Sequence, residues 1–444
     1  MYCNAADSLY VKANGEIPCW CSPGEDFPML RLGGAGPDLD IVRDVLNGRE
    51  FLRMRRLLHE GRLPFPYCRG CCFLVKDTPE SWRRIDSQTY EIRALSVLQI
   101  ESSFLCNVDC PLYVRLPSRR SAKPPPYQLD RLLFESVVDA LARHEIPVEH
   151  VWFSGRGEPL LSRDVPAMVR HARSKLDTYI SCHTNGNLRF AHDLLDCGFD
   201  QMVVSLDGVT QEGYARYRRG GSLERVVRFA ADFAAAKRAA GLSRPELVWK
   251  MILFEWNSAD EEIARAVQWA EEIGMDAVTF VNTDTPGGVS FRNDGTRMGE
   301  IRALVRELAA RASIPVILED YCSVYGALPE VSVDLKLDPR TDPSENPVLL
   351  GRLFNYLLED RVVHARIDLE DEHGIAPALL LDNVVTIAER SELVNSIAID
   401  TRQLESGAYR LRVRISDVED GRLLAEAVED FTLGDDRRIR RGPA

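Results

Sequence analysis

From residue 95 to about 320, apolar β-rich runs alternate with stretches of helical spacing. The predicted strands are 95–102 (LSVLQIES), 148–155 (VEHVWFSG), 178–186 (TYISCHTNG), 201–208 (QMVVSLDG), 246–257 and 276–284. Between them, 129–144, 165–176, 190–198, 223–240 and 259–274 repeat apolar residues at the period of a helix. Strand and helix alternating about six times predicts an α/β fold with a parallel sheet and right-handed crossovers. An open doubly wound sheet and a partial barrel both satisfy that pattern. In either, ligands bind at the carboxyl ends of the strands.

The flanking segments are patterned differently. Residues 1–90 are irregular and cysteine-bearing, with one helical stretch at 40–60 and a glycine-rich loop at 32–37. A piece this small commonly needs a metal to hold it together. Residues 336–347 (KLDPRTDPSENP) predict a linker or ordered loop. Beyond them, short alternating runs such as AYRLRVRISD predict an antiparallel β-sandwich over 348–435, and RRIRRGPA a frayed tail. The expected domains are therefore 1–90, 91–330 and 348–435.

A length of 444 residues suits two or three domains. No apolar run is long enough to span a membrane, and the first residues lack the layout of a secretory signal, so a cytoplasmic protein is expected. The formal net charge of -13 argues against nucleic acid as a partner. The eleven cysteines fall in groups: 3, 19 and 21; 68, 71 and 72; 106 and 110; with 182, 197 and 322 single. Grouped cysteines in a cytosolic chain point to metal more than to disulfides, and a sulfur-rich, histidine-poor set suits zinc or iron–sulfur clusters.

Four consecutive predicted strands end in polar or glycine-rich sets. The first runs into Ser102-Ser-Phe-Leu-Cys106-Asn-Val-Asp-Cys110-Pro-Leu-Tyr113, where cysteines four apart can share one metal. The second ends in Gly155-Arg-Gly157-Glu158-Pro159, the third in Thr184-Asn185-Gly186, and the fourth in Ser205-Leu-Asp207-Gly208, followed by Tyr214, Arg218, Gly220 and Gly221. Each has a plainer reading. Gly155–Pro159 alone is a tight turn, Arg218 in YARYRR is part of a solvated charge run, and Asp207 caps the next helix. Trp152, His183 and Trp249 read as packing, Cys197 and Cys322 as core, and Lys250 as facing either way.

Taken together, residues 95–285 resemble the radical S-adenosylmethionine (SAM) superfamily, whose fold is a partial (β/α)6 barrel. The resemblance implies a [4Fe–4S] cluster held by three cysteines spaced CxxxCxxC. Bound SAM is cleaved reductively, and the resulting 5′-deoxyadenosyl radical takes hydrogen from substrate. Here Cys106 and Cys110 match, but the third position is Tyr113. Three readings stay open: Tyr113 or a distant group completes the cluster, Cys182 substitutes, or the cluster is absent. The resemblance also places Glu158 and the Gly155–Gly157 backbone near the SAM amino group, Asn185 and Ser205 near the ribose, and Arg218 near the carboxylate.

The order Cys3, Cys19 and Cys21, then Cys68 and Cys71 resembles a SPASM-type auxiliary module placed before the barrel instead of after it. It implies a second [4Fe–4S] cluster, with a four-cysteine zinc site as the competitor. Three functional classes follow. One is a radical SAM oxidoreductase or modifying enzyme acting on a peptide or glycan-related substrate with an external electron donor. The others are a degenerate barrel that binds SAM, peptide or glycan without radical chemistry, and a zinc-stabilised adaptor.

Overall fold

The computed structural model describes residues 2–19, 31–36, 38–65, 68, 74–75, 81–111, 127–283, 288–289, 295–319, 331–338, 348–355, 361–371, 378–387, 392–398, 404–418, 421–435 and 439–441. Tyr113, Cys21, Cys71, Cys72 and Cys322 fall outside that set. The described residues up to 319 form one compact unit and those from 331 onward another.

The first unit opens with the short strands β1 (Tyr2–Cys3), β2 (Ser8–Val11), β3 (Glu16–Pro18), β4 (Arg31–Gly34) and β5 (Leu74–Val75). The predicted helix at 40–60 is two: a π-helical Ile41–Leu46 and an α-helix Arg49–His59. The break falls at Gly48, where a Cβ would come within 2.3 Å of the Asp44 carbonyl oxygen. Then follow β6 (Leu95–Ile100), β7 (Val148–Phe153), β8 (Tyr179–Thr184), β9 (Gln201–Ser205), β10 (Glu246–Ile252), β11 (Ala277–Val281) and β12 (Val316–Glu319).

These strands form an eight-stranded, all-parallel sheet in the order β12-β11-β10-β9-β8-β7-β6-β2. The sheet has eight strands instead of six because β12 was not foreseen and β2 joins from the N-terminal segment. Residues 1–90, read from the sequence as a module of their own, thus share a compact unit with the barrel. From β6 to β12 each strand pairs with its successor and the order never reverses. Right-handed crossovers then put every helix on one face, so the sheet curls like a barrel and is not doubly wound.

That topology gives each strand an outer and an inner face. Phe153 packs outward on Phe134 of the helix Arg131–Arg143, with ring centroids 5.8 Å apart. Asp130 caps this helix by accepting from the Leu133 amide. On the inner face Trp152 meets His183 edge to face at 5.0 Å, and the register sets Lys250 between Ser205 and Thr279.

The second unit holds two antiparallel sheets. One is β13 (Val331–Asp338), β14 (Val348–Asn355) and β17 (Glu392–Ala398). The other is β15 (Arg361–Asp371), β16 (Ala378–Ile387), β18 (Gly407–Asp417), β19 (Leu423–Leu433) and β20 (Ile439–Arg441). Leu353 of β14 shares one hydrophobic cluster with Val363, Leu411, Val413 and Phe431 of the larger sheet. Outward residues of β18 are charged and paired: Arg410 with Asp430, Arg412 with Glu370 and Glu426, Arg414 with Asp368. Two expectations change here. Lys336–Asp338 are strand, not linker, and part of the predicted tail pairs as β20 with β19.

Candidate functional site at the carboxyl edge of the parallel sheet

The loop after β6 carries Cys106 and Cys110, and the strand end after β7 clamps it. The Glu158 amide donates to the Leu105 carbonyl at 2.7 Å. A Cβ on Gly157 would lie 1.8 Å from the Ser103 carbonyl oxygen, and one on Gly155 would lie 2.5 Å from the Glu101 side chain. Close approach of the two loops therefore requires both glycines. Buried Glu101 accepts from the Arg156 amide at 2.7 Å and from the Tyr10 hydroxyl at 3.1 Å, tying β2 to the same clamp.

Glu158 is buried, and its carboxylate faces its own chain. It accepts from Thr184 Oγ1 and the Asn185 amide, both at 2.7 Å, and from the Leu160 amide at 3.1 Å. Burial pushes its pKa up; these donors and the Arg218 charge pull against that without cancelling it. The side chain expected near the SAM amino group acts in this structure as a brace between the ends of β7 and β8.

The third strand end reaches the cysteines. Asn185 Nδ2 donates to Asn107 Oδ1 at 2.7 Å and lies 3.7 Å from Cys106 Sγ. Asn107 in turn donates to the Asn187 carbonyl at 2.7 Å, and Asn187 Nδ2 donates to the Tyr214 hydroxyl at 2.6 Å. From the fourth strand end, Arg218 Nε donates to Asp207 Oδ2 at 2.6 Å while its Nη1 lies 3.6 Å from Cys110 Sγ. Burial opposes the Arg218 charge, but Asp207, Cys110 and two tyrosines around it hold its pKa well above the ordinary value. Asp207 does not take its plainer reading as a helix cap. It is fully buried, bonded to Arg218 and to the Ile252 amide, and Thr210 caps the helix Gln211–Tyr217.

Buried Cys110 packs with Val108, Tyr217 and Phe254, and Cys106 and Trp256 lie against them. The Trp256 Nε1 donor is buried there without a hydrogen-bond partner among the described residues. Ser205, at the end of β9, keeps a hydroxyl with no hydrogen bond inside the described chain. Two soft sulfurs faced by an amide and a guanidinium suit an iron–sulfur cluster, whose thiolates and sulfides accept such donors.

The structure thus brings together Cys106, Cys110, Gly155, Gly157, Glu158, Asn185 and Arg218, with Ser205 on the inner face. Tyr113 lies outside the described residues. Cys182 does not join them. It sits on the helix side of β8, fully buried, and burial near Glu158 and Cys197 raises its thiol pKa well above the ordinary value. Cys197 is a core residue as expected. Among the described residues no group of three or more His, Cys, Asp or Glu is disposed to hold a metal ion. Cys3 and Cys19 are buried and Cys68 is partly buried; β1 pairs with β5, setting Cys3 opposite Leu74.

Glu101, Asn107, Asn187 and Asn257 were not foreseen. Asn257 donates to the Asp207 and Ile252 carbonyls, locking the Asp207 turn. Asn187 follows Thr184-Asn185-Gly186 directly, the one local signal for it.

Residues 101–241 match the family model of the radical SAM superfamily. The chain carries a radical SAM superfamily domain. Domains of this superfamily bind a [4Fe–4S] cluster and SAM. A probable GTP 3′,8-cyclase of Metallosphaera sedula is 29% identical over 173 residues, covering 38% of this chain and 52% of that protein. A GTP 3′,8-cyclase of Brucella abortus (strain S19) is 32% identical over 167 residues, covering 36% and 46%. The chain thus spans about half the length of the curated relatives it matches. The solved structure "Native anSMEcpe with bound AdoMet" aligns over 50% of this chain and 63% of its own, at 18% identity and a TM-score of 0.39. No helix among the described residues is long and apolar enough to cross a membrane.

Proposed function

We propose that the chain is a radical SAM enzyme whose cluster is held on the loop after β6 by Cys106, Cys110 and the group at position 113. The observation that carries this reading is the pair of donors on the two sulfurs, Asn185 Nδ2 near Cys106 and Arg218 Nη1 near Cys110. Donors so placed stabilise thiolate and favour the reduced state of a bound cluster. Cluster and SAM together supply reductive cleavage of the sulfonium and hydrogen abstraction from a peptide or glycan-related substrate. The chain's own part is to fix the loop through Gly155, Gly157 and Glu158, and to exclude water with Tyr217, Phe254 and Trp256. The Ser205 hydroxyl and the backbone groups of Gly155 and Gly157 are left for SAM. We assign the auxiliary cluster to Cys3, Cys19 or Cys21, Cys68 and Cys71, supported by β1–β5 pairing, which draws Cys3 alongside the strand after Cys68. A cytoplasmic setting and the 348–435 sandwich as a separate recognition domain belong to the same proposal.

A degenerate barrel that binds without radical chemistry is the second reading. Commitment of Glu158 and Arg218 to partners within the chain favours it, as does Tyr113. Anaerobic reconstitution with iron and sulfide assays, and reduced electron paramagnetic resonance (EPR) spectra with and without SAM, separates the two. Two cubanes give about eight irons per chain and a SAM-perturbed signal in wild type. About four irons, insensitive to SAM until Tyr113→Cys restores the ligand, mark the degenerate barrel. Zinc in place of iron overturns both cluster assignments.

A further inference from the structure

The surface beside the cysteine loop is rich in arginine on a chain whose formal net charge is -13. Arg189 follows β8, Arg219 follows the helix Gln211–Tyr217, and Arg225 and Arg228 lie on the first turns of the helix Leu223–Ala239. All four are exposed. Arg228 pairs with Glu224 at 2.6 Å, whereas Arg189, Arg219 and Arg225 make no ion pair with any described residue. A groove of about 980 Å³ opens here, lined among others by Asn187, Arg189, Phe190, Arg225, Arg228 and Asp232.

This surface runs to the cysteines. The Asn187 carbonyl takes the side-chain bond of Asn107, the residue after Cys106. The Arg219 carbonyl takes the amide of Asp109, the residue before Cys110, at 2.8 Å. Leu105, the residue before Cys106, is 46% exposed, so a partner on the arginine face comes within a residue of Cys106.

We infer that this arginine face docks an acidic one-electron carrier protein that reduces the cluster at Cys106 and Cys110. The inference rests on the radical-enzyme reading above. Acid elsewhere on the chain repels such a carrier, and unpaired arginines at one place both attract and orient it. The transfer is one electron from carrier to cysteine-held cluster; no bond forms or breaks and no proton moves.

The test uses the full-length, iron-loaded protein and reduced plant-type [2Fe–2S] ferredoxin as the acidic carrier. Rapid mixing follows ferredoxin oxidation for wild type, Arg189→Glu/Arg225→Glu, and the milder Arg189→Gln/Arg225→Gln. Charge reversal is expected to slow transfer about tenfold or more and flatten its salt dependence, with the Gln pair between. Iron content and the dithionite-reduced EPR signal stay as in wild type. Equal transfer rates in loaded wild type and both variants overturn the inference alone. So does a labelled single-stranded oligonucleotide that binds through the same arginines and displaces ferredoxin. Wild type that takes up no iron at the barrel site overturns the radical-enzyme reading, and this inference with it.

Discussion

His183 stands on the inner face of β8, edge-on to Trp152, with Lys250, His150 and Arg218 as its charged neighbours. Burial drives its pKa well below 6.5, and those positive charges add to the shift. The unfolded chain binds a proton here below about pH 6.5 while the folded chain does not, so stability falls as pH drops through that value. The loss accrues at about 1.4 kcal/mol per pH unit until the folded pKa is reached. His183→Gln is expected to flatten that part of the stability curve, read as the wild-type-minus-variant difference in urea unfolding between pH 7 and 5. His150, which burial also lowers, titrates in both proteins, and its coupling to His183 is carried in the difference. At this scale the sequence was readable where a residue type has few other uses: Cys106, Cys110, and Arg218 beside Gly220 and Gly221. For Asp207 a helix cap stayed open as the plainer reading, because capping and ion pairing look alike from one chain position. Its partners, Arg218 and the Ile252 amide, are 11 and 45 residues away.

Among elements, the decisive contact is loop on strand end. Gly157 presses on the Ser103 and Leu105 carbonyls, which are backbone and cannot swing aside. Gly157→Ala is therefore expected to cost about 3 kcal/mol, the upper part of the overpacking range, and to displace the cysteine loop. Denaturant midpoints give the first effect, and iron retained per chain after desalting gives the second. The outer helices and β6–β11 were legible because hydrophobic periodicity is local. Their predicted carboxyl ends ran long, since 154–155, 185–186 and 206–208 leave the ladder to build the site. β12 is four residues with only a short apolar run, and β2 is equally short, so periodicity had little to count. Its place in the sheet comes from pairing with a strand far along the chain.

For the molecule as a whole, β2 makes the N-terminal segment part of the barrel sheet. Tyr10 of β2 reaches Glu101, which holds the Arg156 amide against the cysteine loop. Tyr10→Phe removes one buried hydrogen bond, leaves a carboxylate oxygen short of a donor, and is expected to cost about 1–3 kcal/mol. Equilibrium unfolding reads that cost, and a variant as stable as wild type would show that the bond carries no weight.

The β2–β6 pair also bears on the order of assembly during synthesis. Every other neighbour in the parallel sheet is the next strand made, but Ser8 pairs with Val97. β2 leaves the ribosome early and waits, unpaired, while the cysteine-bearing segment is made. Closing that span is the longest-range event between adjacent strands of the sheet, which makes it a slow step. A waiting thiol-rich stretch is exposed to premature metal capture or oxidation for as long as β6 is missing.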